Sequence, residues 1–166
     1  MKRLLILLIA FCFSIAGADE VTGKIISYGI FAVPSKHNTQ EVPEALSGKM
    51  RIYSGLPSLI TATNRIPAKI GVHFGIIFEI SNLPIRDGEE VELVRVYKYP
   101  TIKKPDGTTS QGYEWKPKEP VKDGCVVDYF GYGLDHDYEL APGVWEFEIK
   151  YKDKILCTQS FTVIQQ

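Results

Sequence analysis

Three histidines, His37, His73 and His136, and two cysteines beyond the N-terminal region, Cys125 and Cys157, are the residues of this 166-residue chain best suited to chemistry. A cysteine nucleophile needs its thiolate held beside a histidine or another cation. Both cysteines sit in runs of strand character, where a buried or bridged thiol is the commoner role. His73 stands opposite the apolar residues of its own run, as a half-exposed sheet residue does. The densest set of metal-ligand types is Asp135-His136-Asp137 with Glu139 and Asp128. Oxygen ligands would suit calcium there, and the imidazole would suit zinc. The segment lacks the glycine and the spacing of a calcium loop, so it reads as a polar turn in which an aspartate caps loop backbone. Glu90 with Glu92, and Glu146 with Glu148, pair carboxylates on one strand face as a glycosidase would. Alternating charge on the solvent side of a sheet explains them as well. No Gly-rich phosphate loop, G-x-S-x-G elbow or H-E-x-x-H pair occurs. No catalytic residue, metal site or cofactor is assigned.

Aromatic residues are the second candidate. Tyr113, Trp115, Tyr129, Phe130, Tyr132 and Tyr138 crowd a short stretch. If exposed together, Tyr113, Trp115 and Tyr132 would stack on sugar rings or anchor a protein partner. If buried, they are packing residues, as Trp145 is from its place in an alternating run.

The setting for either chemistry is read from residues 1–18. Lys2 and Arg3 form a basic start, residues 4–15 a short apolar run, and Ala16-Gly17-Ala18 a small-residue cleavage site before Asp19, the pattern of a secretory signal peptide. The run is shorter than the roughly 20 residues that cross a bilayer as a helix, and no second apolar run follows. Phe11 ahead of Cys12 does not fit a lipoprotein cleavage site. The expected mature chain is one exported domain over 19–166, periplasmic or secreted, without a transmembrane segment. Removing Lys2 and Arg3 leaves 17 basic against 20 acidic residues, a net charge of −3. That balance argues against nucleic acid and anionic lipid, which need a basic face. Removal of Cys12 leaves Cys125 and Cys157 as an even pair in a compartment that permits disulfides. A bridge between them would close a loop of about thirty residues, worth roughly 3–4 kcal/mol; two separate buried thiols are the alternative.

The elements that must position these residues are almost all strands. Residues 24–33, 50–53, 58–63, 70–81, 90–99, 121–130, 144–151 and 154–164 carry β-branched, aromatic and alternating patterns. In 70–81, Phe74, Ile76, Phe78 and Ile80 share one face. In 90–99, Val91, Leu93, Arg95, Tyr97 and Tyr99 share a side while the other side is mixed, which suggests a bulge or a doubly covered strand. Segment 35–48 reads as a loop with one helical turn near 41–46. Segment 100–120 reads as a long polar connection with a turn at Asp106-Gly107, and long connections of this kind are functional or mobile. Lys152-Asp153 closes the strongest hairpin. Seven to nine short strands with regular turns and no three-turn helix predict an antiparallel β-sandwich, with a small barrel as runner-up.

The landmark residues Ile26-Ser27-Tyr28-Gly29-Ile30-Phe31, Thr63-Asn64-Arg65-Ile66-Pro67-Ala68, Gly71-Val72-His73-Phe74-Gly75, Asn82-Leu83-Pro84, Pro142-Gly143-Val144-Trp145-Glu146-Phe147 and Phe161-Thr162-Val163 span nearly the whole mature chain. In these the sequence resembles a bacterial exported family known only as a domain of unknown function. The resemblance implies an immunoglobulin-like sandwich and no established activity. The expectation is a non-enzymatic binding or envelope-accessory module that recognises an envelope or extracellular protein through a sheet edge or the 100–120 segment. Carbohydrate binding through Tyr113, Trp115 and Tyr132, and an unrecognised hydrolase, are the alternatives. An exposed aromatic groove would favour sugar, an uncovered edge or apolar patch a protein, and a deep pocket joining ionisable groups catalysis.

Overall fold

Alternation along 70–81 decides the centre of the molecule: Phe74, Ile76, Phe78 and Ile80 are all fully buried, on one face of a strand. The computed structural model describes residues 20–165, so the leader expected at 1–18 lies outside the described residues. In chain order the strands are β1 (Thr22–Ala32), β2 (His37–Glu41), β3 (Lys49–Tyr53), β4 (Ser58–Thr61), β5 (Arg65–Pro67), β6 (His73–Ser81) and β7 (Glu90–Glu92). They continue as β8 (Val94–Lys103), β9 (Thr109–Trp115), β10 (Lys118–Pro120), β11 (Val126–Gly133), β12 (Gly143–Tyr151) and β13 (Lys154–Ile164), with a 3-10 turn at Asp137–Glu139.

Two sheets make the sandwich, one in the order β11-β6-β1-β4 and one in the order β5-β13-β12-β8-β9. The two sheets hold nine strands, and every pairing between them is antiparallel except β5 with β13. Aromatic rings fill the space between the sheets. Phe74 stacks on Phe147 of β12 at 5.5 Å and takes Trp145 and Phe161 edge-on at 5.7 and 5.2 Å. Such pairs add about 0.5–1.5 kcal/mol each beyond simple burial. Trp145 is fully buried, and its indole N–H donates to the Ala141 carbonyl at 3.1 Å.

Three segments differ from the reading of the sequence. Residues 35–48 contain β2, which pairs with β3 from His37↔Tyr53 to Glu41↔Lys49. All five β2 side chains are exposed, so no hydrophobic period marks the strand. The 41–46 helical turn is instead a pair of tight turns, Ala45 N–H to Val42 and Gly48 N–H to Ala45. The expected connection at 100–120 is a hairpin: β8 runs on to Lys103, turns at Asp106-Gly107 and returns as β9. Pro100 hides this continuation, and the pairing slips between Lys98 and Ile102 to accommodate it, as an edge bulge does. At the turn, Asp106 Oδ1 accepts from the Thr108 N–H and hydroxyl at 2.9 and 2.6 Å. The expected strand 90–99 breaks at Leu93: β7 leaves the sheet to pair with β10, while β8 joins β12 and β9.

The sandwich has two sides where its sheets end. On the side of β11 and β9, the β2–β3 hairpin lies across the opening and buries Val42, Ala45 and Leu46. Met50 of β3 accepts the Tyr113 hydroxyl at 3.2 Å, and Tyr53 meets Tyr129 edge-on at 6.5 Å. On the side of β1 and β4 no hairpin crosses the opening among the described residues, although Leu156 and Cys157 of β13 lie against Gly23 of β1.

Candidate functional site

The aromatic candidates are placed in the core. Tyr113 and Trp115 are each 8 % exposed, and Tyr132 is half-buried. Tyr113 stacks on Tyr97 at 4.4 Å, Tyr132 packs on Trp145 at 5.1 Å, and Trp115 lies over Arg95 at 5.1 Å. The three therefore do not line an exposed groove, and their sugar-stacking role is corrected to packing. The reason is that the stretch read as a loop is strand, and β9 turns alternate side chains inward.

Cys125 and Cys157 are both free, so the bridge is not formed. Cys157 lies against Gly23 of β1, and Cys125 directly precedes Val126 of β11. Gly23 and Val126 pair with Ile80 from opposite sides of β6. Two strand spacings put roughly 10 Å between them, beyond the reach of a bridge. Burial pushes the Cys157 thiol up to about 11, which makes it a weak nucleophile.

A charge the sequence placed on an apolar face is the best-held group in the protein. Arg95 is 2 % exposed and stands among Phe78, Trp115 and Phe130, with its guanidinium 5.4, 5.1 and 5.9 Å from their rings. Its Nη2 donates to Glu119 and to Asp128, and its Nη1 donates to the Tyr129 carbonyl at 2.9 Å. Asp128 is thereby an ion-pair partner rather than a metal ligand. Burial lifts the Glu119 carboxyl above the usual range, against the pull of Arg95. Among the described residues Arg95 Nε has no hydrogen-bond partner. An arginine on an otherwise apolar face was the sequence signal for this buried cluster.

Beside it opens a cleft of about 340 Å³ between the β2–β3 hairpin and the end of β11. His37, His73 and His136 all line it, with Arg51 and Asp135. Arg51 Nη1 pairs with Asp135 Oδ2 at 2.8 Å, tying the hairpin to the segment after β11. Burial holds the His73 imidazole below its usual range; Asp135 pulls it up and Arg51 pushes it down. Glu139 is fully used: Oε1 accepts the Tyr132 hydroxyl at 2.7 Å, and Oε2 accepts the Asp135 and His136 N–H groups at 2.7 and 2.9 Å. The Asp135–Glu139 segment is thus a self-capped turn, and no metal-holding cluster of His, Cys, Asp and Glu occurs among the described residues. The cleft joins several ionisable side chains in one pocket, the geometry a catalytic reading asks for. Among the described residues no side-chain hydroxyl or thiol hydrogen-bonds a histidine; His37 Nδ1 lies 3.1 Å from the Ser35 carbonyl. Neither Arg51 nor the meeting of the three histidines was visible in the sequence, because 37, 73 and 136 are far apart and carry no local motif.

The second feature is an edge. β4 pairs with β1 only over Ile30↔Thr61, Phe31↔Leu59 and Ala32↔Ser58. Residues 22–28 of β1 are bonded to β6 on one side and have no strand on the other among the described residues. Ile25, Ile26, Ser27, Tyr28, Leu59, Ala62 and Gln159 line an open groove along that free edge. Ile26 is 50 % exposed and Ile60 on β4 64 %, with Tyr28 and Leu59 also exposed. No charged side chain lines the groove.

The fold has a solved counterpart. An immunoglobulin-like protein from Pseudomonas aeruginosa is 23 % identical and superposes with a TM-score of 0.60, over 89 % of this chain and 99 % of that one. At that identity the likeness shows the immunoglobulin-like fold alone. No curated protein matches the chain. No described helix is long and apolar enough to cross a membrane. Residues 20–163 match the family described as "Domain of unknown function (DUF3859)", and the chain belongs to that family.

Proposed function

We propose that the protein is an exported, non-enzymatic binding module that recognises an envelope or extracellular protein by accepting an extended segment along the free edge of β1. One observation carries the reading: residues 22–28 form a strand edge that β4 leaves unpaired, beside an uncharged groove. An added strand gains main-chain hydrogen bonds from such an edge, and alternate side chains gain specificity from the groove. Seven residues offer about 20 Å of edge, the length of an ordinary strand. Proteins commonly protect edges with lysine, proline or a cover. Here Lys24 stands at one end of the edge and a bulge falls between Ile25 and Ser27, while Ile25, Ile26, Ser27 and Tyr28 themselves carry no charge and no proline. The exported setting rests on the leader-like residues 1–18.

A photo-crosslinking residue at Ile26, compared with one at Val144, tests the reading in cells. Val144 is 60 % exposed on the other sheet and serves as a control. A discrete protein adduct from position 26 and none from position 144 is expected. Equal adducts from both positions, or none from 26, would overturn it.

A further inference from the structure

The structure assigns a second, independent site: we propose that the three-histidine cleft binds a small organic anion, a carboxylate- or phosphate-bearing molecule about the size of one sugar ring. All the histidines of the chain, three in number, converge on this one cleft from three separate elements: β2, the start of β6 and the turn before Asp137–Glu139. Their convergence needs a reason, and packing does not supply one, since His37 and His136 are exposed.

The distribution of hydrogen-bonding capacity sets the sign of the ligand. The acidic groups are closed inward. Both Glu139 oxygens are occupied by Tyr132 and by backbone N–H groups, and Asp135 is held by Arg51. The basic groups keep donors to spare. Arg51 gives one nitrogen to Asp135, lies within hydrogen-bonding reach of the Tyr53 hydroxyl and pairs with no other carboxylate among the described residues, which leaves part of a guanidinium fork for an oxyanion. His37 has one ring nitrogen at the Ser35 carbonyl, and the other is free to face a ligand. His136 lies flat on Tyr138, with ring centroids 5.3 Å apart and planes 7° apart, so its ring edge remains available. A cavity whose carboxylates are already occupied by the protein's own donors, and whose unspent groups are themselves donors, favours an anion.

The walls set the shape. Tyr53 and Tyr129 present ring surface beside Gly131 and Gly133, where no side chain projects from the strand. A cleft of about 340 Å³ is at the small end of the range for ligand pockets. Tyrosine rings and the Arg51 and histidine donors in the same cleft suit a ring that carries a charged substituent.

The imidazole resonances read this site directly, because every histidine in the chain lines it. The full chain is titrated at constant ionic strength with glucose 6-phosphate, glucuronate, inorganic phosphate and glucose, and the three imidazole signals are followed by NMR. Glucose 6-phosphate or glucuronate is expected to move all three along one saturating curve at millimolar or lower concentration, with glucose leaving them in place. Preference between the two anions, and the response to inorganic phosphate, distinguish a phosphate from a carboxylate ligand. Arg51→Gln should weaken binding at least tenfold. His136→Gln, on an exposed ring, should weaken it severalfold without disturbing the fold. Glucose acting as strongly as the anions, no saturation with any anion, or full affinity in both variants would overturn the proposal.

Discussion

The two sides on which the sandwich opens are treated in opposite ways. Between β11 and β9 the chain spends a whole hairpin, β2–β3, on closure, and roots it in Met50, Val42 and Leu46 below and the Arg51–Asp135 pair at the rim. Beside β4 it leaves seven residues of β1 unpaired, with isoleucine and tyrosine exposed. The difference teaches where stability and where recognition reside. The closed side holds the buried charge, the densest aromatic packing and a shaped polar cleft. The open side buries Phe31 but presents along residues 22–28 backbone groups that water now satisfies.

The largest expected break of this contrast is at Arg95, beneath the hairpin. Arg95→Met keeps apolar bulk against Trp115 but strands Glu119 and Asp128, and should cost about 3 kcal/mol in urea unfolding. Next is Gly131→Ala. Gly29, Gly75 and Gly131 pair in a row across three strands. A methyl group on Gly131 would overlap the Tyr129 ring that lies on it and the Phe74 carbonyl. The closed side should lose about 2 kcal/mol, read as a lower melting temperature and faster hydrogen exchange in β11. On the open side, Ile26→Lys should change stability by less than about 0.5 kcal/mol while reducing partner capture at least tenfold.

A pH series sharpens the comparison with a smaller effect. His73 has a folded pKa below its unfolded value, chiefly through burial. The unfolded chain therefore binds the proton more readily, and this group's contribution to stability falls as pH drops below about 6.5. His73→Gln should flatten that part of the stability profile, and Ile26→Lys should leave it unchanged. Parallel profiles for wild type and His73→Gln would remove His73 from the account.

Much of the sandwich could be read from period-two alternation, because β6, β12 and β13 carry their buried residues on one face. Phe74 and Trp145 are read as inward on that ground, and with Phe147 and Phe161 they form the inter-sheet contact. The same rule had nothing to say about β2, whose five side chains all face water, or about β8 beyond Pro100. Misreading 100–120 as a loop is what made Tyr113 and Trp115 candidates for ligand contact. The edge of β1 could not be seen either, since its being free depends on how few residues β4 pairs, a matter of register rather than composition. The cleft is the extreme case. Its histidines are brought together by tertiary structure alone, and only Arg95 announced the closed side in the sequence, as a charge among apolar neighbours.

The central claim is that the open side takes a partner strand, and amide hydrogen exchange measures it most directly. With the partner identified through position 26 added at saturation, the amides of β1 residues 22–28 should slow by at least tenfold, with β9 and the β2–β3 hairpin unchanged. Protection confined to the hairpin and the cleft, with residues 22–28 exchanging as in the free protein, would contradict the account.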